Sequence, residues 1–252
     1  MTGVRDAHTA VLPLTGRRAA ITGGTTGIGR AIARLLAAEG ATVFIGGTDQ
    51  AHLDEALTDI RAVGACEGAL HDLSDPDNVG AFLSAADAAL GGYDIVVANA
   101  AEAASGLTEM DEAAVRHAIS LNFTHYLLLA HRAAATMAPG GDIVMIGSTS
   151  AYVLGPHSTV YAAIKYGLQG FSIALRRELG GKDIRVALVE PGKTGSDMQM
   201  PDISPEAQRE QSEAGTMLRA EDIAVGVHYL LTQPRRTVIQ RLTISPRVQE
   251  EE

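Results

Sequence analysis

Cysteine is almost absent from this chain of 252 residues, and so are the ligand patterns that metal ions require. The single cysteine, Cys66, excludes an intramolecular disulfide. The eight histidines form neither a His-Glu-x-x-His motif nor a paired Cys/His spacing. The sequence therefore predicts neither a disulfide scaffold nor a metal site.

Long hydrophobic runs and an excess of positive charge are missing as well. No apolar segment has membrane-spanning length, and the first residues, MTGVRDAHTAVLPL, lack the apolar core of a signal peptide. Lysine and arginine number 20 against 30 acidic residues, a net charge of −10, which argues against nucleic acid or an anionic membrane as the main partner. We expect a soluble, cytoplasmic protein that binds neither.

The remaining chain alternates between two kinds of apolar pattern. Hydrophobic residues make up 46% of it without low-complexity stretches, which is typical of a globular protein. Near-continuous apolar runs predict parallel strands buried on both faces at 19–22, 42–46, 94–100, 142–148 and 184–190. Between them, periodic patterns predict helices, one beginning at Ser74 and a long one over 112–137.

This alternation predicts one α/β domain built on a doubly wound parallel sheet, with helices on both of its faces. We expect the domain to span 13–246. Residues 1–12 are expected to form an N-terminal arm, and 247–252 an acidic tail.

A glycine-rich segment, Thr22 to Gly29 (TGGTTGIG), follows the first predicted strand and opens a helix. Glycines let the backbone turn tightly and approach a pyrophosphate, and the helix N-terminus presents free N–H groups to it. This context predicts a dinucleotide site. The alternative is a glycine-rich turn that holds no ligand.

A second motif, Tyr161-x-x-x-Lys165, has the spacing that places both side chains on one face of a helix. An ammonium group near a phenol favours the phenolate, so we expect Lys165 to lower the pKa of Tyr161 and make it an acid or base near neutral pH. A chance match is improbable because the chain has only six tyrosines and three lysines.

Together these motifs resemble the short-chain dehydrogenase/reductase superfamily in its compact branch, which has a Rossmann fold. The resemblance covers roughly 14–246 and implies hydride transfer between NAD(P)(H) and a carbonyl or secondary alcohol. It implies dinucleotide contacts from 18 residues: Gly23, Thr25, Thr26, Gly27, Ile28, Gly29, Gly47, Thr48, Asp72, Leu73, Asn99, Ala100, Tyr161, Lys165, Pro191, Gly192, Thr194 and Ser196.

The resemblance also implies four catalytic residues. Tyr161 is the acid/base, Ser148 stabilises the substrate oxygen, Lys165 tunes Tyr161 and binds the nicotinamide ribose, and Asn122 holds a water that links Lys165 to solvent. By proximity alone, Thr149 and Ser150 compete with Ser148, and Asn122 by itself has the character of a satisfied core amide. His125 and His131, on the helix of Asn122, have no catalytic neighbours in the pattern and are expected to be partly exposed or interfacial.

Some positions depart from the family pattern. Ala98 and Ala101 replace an asparagine and a glycine, and the chain end, LTISPRVQEEE, lacks the common Asp-Gly-Gly. Related epimerases and dehydratases are longer. A non-catalytic dinucleotide sensor or scaffold on the same fold is the alternative function, although the intact catalytic four argue against it. Because members of this family tend to form dimers and tetramers, the resemblance implies a homodimer or homotetramer that assembles through the helices of Asn122 and Tyr161.

The choice of cofactor depends on the end of the second strand. An acid there selects NAD by binding the ribose 2′-hydroxyl. The matching position is Gly47, followed by Thr48, a possible phosphate donor. Asp49 either turns inward, where it repels a phosphate, or caps the next helix. These residues favour NADP slightly over NAD.

The segment 194–218 follows the Pro191-Gly192 pair and so begins at the cofactor crevice. Its two prolines and a helix start at Ser204 predict a substrate loop that closes over the site. Met198 and Met200 are expected to form an adaptable apolar wall, the alternative being that they fill the core. Because the loop offers no fixed cation, we expect a neutral, moderately apolar carbonyl or alcohol substrate.

Overall fold

Short apolar segments form one sheet of parallel strands in this computed structural model, which describes residues 11–152, 154–155, 157–200 and 202–248. The strands are β1 Arg18–Ile21, β2 Thr42–Gly47, β3 Cys66–Leu70, β4 Ile95–Ala98, β5 Asp142–Ile146, β6 Arg185–Pro191 and β7 Arg241–Ile244. Their order in the described residues is β3-β2-β1-β4-β5-β6-β7, and every neighbouring pair is parallel.

Helices cover both faces of the sheet because alternate residues of each strand point to opposite sides. The helices are α1 Gly27–Ala38, α2 Gln50–Arg61, α3 Pro76–Leu90, α4 Glu112–Ile119, α5 His125–Thr136, α6 Thr159–Leu179, α7 Pro205–Ala214 and α8 Ala220–Leu231. Ile21 and Val43 pack with α1, α2 and α8, whereas Ala20 and Phe44 pack with α3, α5 and α6.

The order of the strands places the ligand crevice. From β1 the chain proceeds outward through β2 to β3, then returns to pair β4 with the other side of β1. In such sheets the crevice lies at the carboxyl ends of the strands where the direction reverses, here β1 and β4. The doubly wound α/β fold predicted from the alternating patterns is confirmed.

The five strands predicted from apolar runs all form, with ends shifted by a residue or two. The third strand, which only the resemblance implied, is β3. The sequence patterns missed β7, a short edge strand whose side chains are exposed or half-buried in alternation. Most of the predicted arm and tail lies outside the described residues, although the Leu12 N–H donates to the Thr232 carbonyl at 2.8 Å.

Two helix predictions need correction. The predicted long helix is interrupted by a π turn at Ser120–Thr124, which separates α4 from α5. Ser74 does not cap α3: Asp75 does, by accepting from the Asp77 N–H at 3.0 Å. The Ser74 hydroxyl instead donates to the Asp72 carboxylate at 2.6 Å.

Candidate active site

The loops that follow β1 and β4 are tied to each other by hydrogen bonds. Thr22 is fully buried, and its Oγ1 accepts from the backbone N–H groups of Asn99 at 2.9 Å and Ala100 at 3.1 Å. In return, the Asn99 amide donates to the carbonyls of Thr22 at 3.1 Å and Gly23 at 3.0 Å. Asn99 and Ala100 therefore form a fixed floor beneath the glycine-rich loop.

The glycine-rich loop has the features needed to hold a pyrophosphate. A Cβ at Gly29 would lie 2.0 Å from the Gly23 carbonyl oxygen, so only glycine permits this approach of α1 to the loop. Thr26 precedes α1 but makes no side-chain cap, and the first turn carries no acidic residue. The first N–H groups of the helix are therefore available to an anion. Gly27 and Ile28 lie in the same turn.

At the end of β2, Gly47 lies against Thr25. A Cβ at this glycine would come within 2.5 Å of the Thr25 side chain, which is itself buried. Asp49 accepts from the His52 N–H at 2.8 Å and caps α2. This backbone hydrogen bond lowers the pKa of Asp49. Of the two alternatives for Asp49, the structure shows the helix cap. Thr48 lies between Gly47 and Asp49 in the chain.

Asp72 and Leu73 follow β3 at the same edge of the sheet. The Asp72 carboxylate accepts from the Ser74 hydroxyl at 2.6 Å and the Ser74 N–H at 2.9 Å, and these bonds lower the pKa of Asp72. Leu73 is buried. Pro191 ends β6, which four strands separate from β3, and all of these residues lie at the carboxyl edge of the sheet.

Tyr161 and Lys165 lie one turn apart on α6, as their spacing predicted. The Lys165 ammonium nitrogen is 5.3 Å from the centre of the Tyr161 ring and donates to the Ile146 carbonyl at 3.2 Å, at the end of β5. Lys165 is 2% exposed. Burial disfavours its charged form and lowers its pKa to about 7.

The pKa of Tyr161 differs from the expectation. Burial raises it to about 12, and a hydrogen bond with Ser148 opposes this rise only in part. The expected lowering by Lys165 is not seen, because burial disfavours the charge on both groups. In this state the Tyr161 phenol is protonated at neutral pH.

Ser148 stands directly after β5, where it caps a short 3₁₀ helix at Thr149–Ala151. Its Oγ accepts from the Ser150 N–H at 3.0 Å. Ser148 also makes the side-chain hydrogen bond to Tyr161. Among the three neighbouring hydroxyl residues, this contact favours Ser148 as the partner of the phenol.

Asn122 lies in the π turn and is fully buried. Its Oδ1 accepts from the Glu102 N–H at 2.9 Å, whereas its Nδ2 has no hydrogen-bond partner among the described residues. A buried amide donor without a partner is costly unless a water or ligand accepts from it. Asn122 is therefore only half satisfied by the protein, unlike an ordinary core amide.

His125 contradicts its predicted exposure. It is 0% exposed, its ring packs on Tyr126 with centroids 4.5 Å apart, and burial lowers its pKa to about 4. His131, on the same helix, is exposed as expected. His125 shares one face of the helix with the buried Asn122 and Leu129, at spacings of three and four residues, whereas His131 lies on another face.

The segment after β6 returns on itself. Gly192 N–H donates to the Ile244 carbonyl of β7 at 2.7 Å, and the buried Thr194 hydroxyl donates to the Gly192 carbonyl at 2.9 Å. A short parallel bridge joins Thr194 to Leu218, which closes the base of the predicted substrate loop. Ser196 lies over the glycine-rich loop, since its Cβ is 3.2 Å from where a Cβ of Gly27 would lie.

The predicted substrate loop contains a 3₁₀ helix at Asp197–Gln199 and the helix α7. The Ser204 hydroxyl caps α7, as predicted, by accepting from the Ala207 N–H at 3.3 Å. Met198 and Met200 are 41% and 44% exposed, so neither fills the core.

The sequence analysis missed a buried carboxylate beside the site. Glu190, 0% exposed in β6, accepts from the Gln169 amide at 2.8 Å, the Thr243 hydroxyl at 3.1 Å and the Tyr152 hydroxyl at 3.2 Å. An acid inside the apolar run IRVALVE was the available signal. Through Tyr152, this carboxylate connects the loop after Ser148 to the strand that ends at Pro191.

Two further kinds of feature are absent from the described residues. No group of three or more histidine, cysteine, aspartate or glutamate side chains there is arranged to hold a metal ion. Among the described helices, none combines the length and the apolar character needed to cross a membrane.

Known proteins share both the sequence and the fold. The family model for short chain dehydrogenase matches residues 17–207. Glycine betaine reductase ATRR of Emericella nidulans is 32% identical over 246 residues, which are 93% of this chain but only 19% of that protein. An uncharacterized oxidoreductase of Staphylococcus aureus strain N315 is 29% identical over 236 residues, covering 92% of this chain and 98% of the relative.

A solved structure agrees with this sequence similarity. A short chain dehydrogenase from Burkholderia cenocepacia J2315, crystallised in complex with NADP, superposes with a TM-score of 0.83 at 32% identity. The superposition covers 92% of this chain and 98% of that one. With the glycine-rich loop and the Tyr161–Lys165 pair in place, these matches lead to one conclusion: the chain belongs to the short-chain dehydrogenase family and is an NAD(P)-dependent oxidoreductase.

Proposed function

We propose that this protein transfers hydride between NADP(H) and a neutral, moderately apolar carbonyl or secondary alcohol, with Tyr161 as the acid/base. The observation that carries the proposal is the cluster of Tyr161, Ser148 and Lys165 at the carboxyl edge of the sheet. When bound, the dinucleotide supplies the hydride. The protein's residues supply the proton and the electrostatic stabilisation.

In the reductive direction, Tyr161 gives its phenolic proton to the carbonyl oxygen of the substrate. A pKa of about 12 keeps this proton in place at neutral pH until charge develops on the acceptor. Ser148, which hydrogen-bonds to Tyr161, donates to the same oxygen as it becomes negative.

Lys165 and Asn122 restore the proton that Tyr161 has given to the substrate. With a pKa of about 7, Lys165 populates both its charged and neutral forms near neutral pH, which suits a group that takes and releases protons. The partnerless Nδ2 of Asn122 donates to a water on the path from Lys165 to solvent.

The residues around the glycine-rich loop fit a dinucleotide. Gly29 allows the close approach, and the uncapped N-terminus of α1 offers N–H groups to the pyrophosphate. Asp72 and Leu73 would hold the adenine, and the segment from Pro191 and Gly192 through Thr194 and Ser196 would hold the nicotinamide.

NADP is preferred to NAD because no carboxylate stands at the end of β2. Gly47 has no side chain, and Asp49 is engaged in capping α2. The hydroxyls of Thr25 and Thr48 are the donors offered to a 2′-phosphate. The structural neighbour crystallised with NADP supports this choice. Fluorescence titration with NADPH and NADH tests it: we expect the lower Kd for NADPH, and a lower Kd for NADH overturns the preference.

The segment 194–218 acts as a lid over the substrate. Its base is fixed by the Thr194–Leu218 bridge, while exposed Met198 and Met200 provide an apolar wall. Closure excludes water from hydride transfer. Limited proteolysis tests the lid: saturating NADPH with a ketone substrate should slow cleavage within 194–218. Unchanged cleavage contradicts the lid, and a strong preference for charged hydroxy acids contradicts the substrate class.

The enzyme assembles as a homodimer or homotetramer through the helices of Asn122 and Tyr161. An apolar groove of about 400 Å³ supports this proposal, because it runs along these helices between residues such as Val115, Phe123 and Ile164. Light scattering after size exclusion tests it, and a monomer at micromolar concentration contradicts it.

The central experiment replaces one oxygen atom. Tyr161→Phe should abolish NADPH oxidation across a panel of neutral ketones and aldehydes, while NADPH Kd and circular dichroism stay unchanged, because only the proton-donating hydroxyl is lost. Tyr166→Phe is the matched control, since Tyr166 lies on the same helix and is 58% exposed. Wild-type turnover in Tyr161→Phe contradicts the assignment.

A further inference from the structure

The π turn before α5 leaves one carbonyl without its usual partner. In an α-helix the backbone N–H of His125 would bond to the Leu121 carbonyl. Here that N–H bonds to the Ser120 carbonyl instead, one residue further back. The imidazole Nδ1 of His125 bonds to the Leu121 carbonyl in its place. The side chain therefore completes the turn that carries Asn122.

This bond fixes the tautomer of the ring. A carbonyl only accepts, so Nδ1 of His125 carries the hydrogen and Nε2 is left as an acceptor. The Nε2 atom lies 3.3 Å from the Thr22 Oγ1. Thr22 already accepts from two backbone N–H groups, which leaves its own hydrogen to donate to His125, with the Val97 carbonyl at 3.4 Å as the competing acceptor.

The result is one directed chain of hydrogen bonds through the interior. It runs from the floor formed by Asn99 and Ala100 to Thr22, from Thr22 to His125, and from His125 to Leu121 in the π turn. Every donor in it points the same way. Burial keeps the ring neutral by lowering the pKa of His125 to about 4, so the chain keeps this direction at neutral pH.

We propose that His125 is a positioning residue with two separable effects: its Nδ1 bond holds the π turn that orients Asn122, and its Nε2 bond holds Thr22 under the dinucleotide loop. The first effect acts on the proton relay and hence on kcat. The second acts on dinucleotide affinity. The kcat effect rests on the proposed hydride transfer, whereas the affinity effect does not.

Two conservative variants each keep one bond and remove the other. In His125→Asn the short amide N–H takes the place of Nδ1 and donates to Leu121, but nothing reaches Thr22. In His125→Gln the longer amide takes the place of Nε2, and its oxygen accepts from Thr22, but Leu121 loses its donor. His131→Asn and His131→Gln are matched controls, because His131 is exposed on the same helix.

The experiment measures NADPH Kd by fluorescence and kcat for a ketone that wild type reduces. His125→Asn should raise Kd about fivefold, as expected for one lost hydrogen bond, with kcat within about twofold of wild type. His125→Gln should lower kcat by a similar factor with little change in Kd. Equal changes in both variants, a reversed pattern, or no change in either overturns the proposal.

The outcome is separable from a failure of the proposed function. If wild type reduces no carbonyl in the panel, hydride transfer to that class fails, and the Kd arm alone decides the role of His125. A measurement without variants covers the case in which a substitution prevents folding. The ring ¹⁵N shifts of wild-type His125 should report the Nδ1–H tautomer, and an Nε2–H tautomer overturns the proposal.

Discussion

Lowering the pH from 7 to 5 should reduce the free energy of unfolding of the wild-type protein by about 2 kcal/mol more than that of His125→Asn. The reason is the burial of His125, whose pKa falls from 6.5 to about 4 in the folded state. The ring is 0% exposed, so solvent does not screen the effect.

The sign follows from proton binding. Between pH 6.5 and 4 the unfolded chain protonates this ring while the folded protein keeps it neutral. The unfolded state therefore binds more protons, and stability falls as the pH falls through this range. At pH 5 most of the unfolded rings but few of the folded ones are charged, which gives the figure of about 2 kcal/mol.

Urea unfolding followed by far-ultraviolet circular dichroism measures the difference at several pH values. His125→Asn starts less stable at pH 7, because it loses the bond to Thr22, and its curve should then approach that of wild type as the pH falls. The other titrating groups cancel in the comparison. Parallel curves for the two proteins would refute the burial of an uncharged His125, and with it the packing of the π turn.

Three further changes test other parts of the site. Gly29→Ala should abolish NADPH binding measured by fluorescence, because its methyl would lie 2.0 Å from a carbonyl oxygen, whereas Gly170→Ala, where nothing lies within 4 Å, should leave binding intact. Glu190→Leu should lower the urea-derived stability by about 3 kcal/mol, since it removes the acceptor of three side-chain donors, and equal losses in Glu190→Leu and Glu190→Gln would contradict this. Thr48→Asp, at an exposed position, should raise the Kd of NADPH more than that of NADH, and equal effects would contradict the phosphate position.

Features that depend on neighbours along the chain were predictable from the sequence. The glycine-rich loop lies between a strand and a helix that adjoin it, so its role followed from local pattern. Tyr161 and Lys165 share a face of one helix by spacing alone. Parallel strands buried on both faces appear in the sequence as unbroken apolar runs, so five strands and the doubly wound sheet were predictable.

Features that depend on partners far away along the chain were not predictable from the sequence. Asp49 had two possible directions until the structure showed it capping α2. Lys165 was expected to lower the pKa of Tyr161, yet burial by surrounding elements raises that pKa to about 12. Glu190 finds its partners on α6, on β7 and in the loop after Ser148, and no pattern within IRVALVE specifies them.

His125 shows most clearly the boundary between the features that the sequence predicts and those that it does not. Its helix was visible in the sequence, but the ring is fully buried and its partner Thr22 lies 103 residues away along the chain. Spacing, periodicity and loop chemistry are short-range properties, so the chain alone determined the fold class, the dinucleotide loop and the Tyr–Lys pair. Burial, protonation and hydrogen-bond direction arise from atoms far apart in sequence, and only the tertiary structure brings those atoms together.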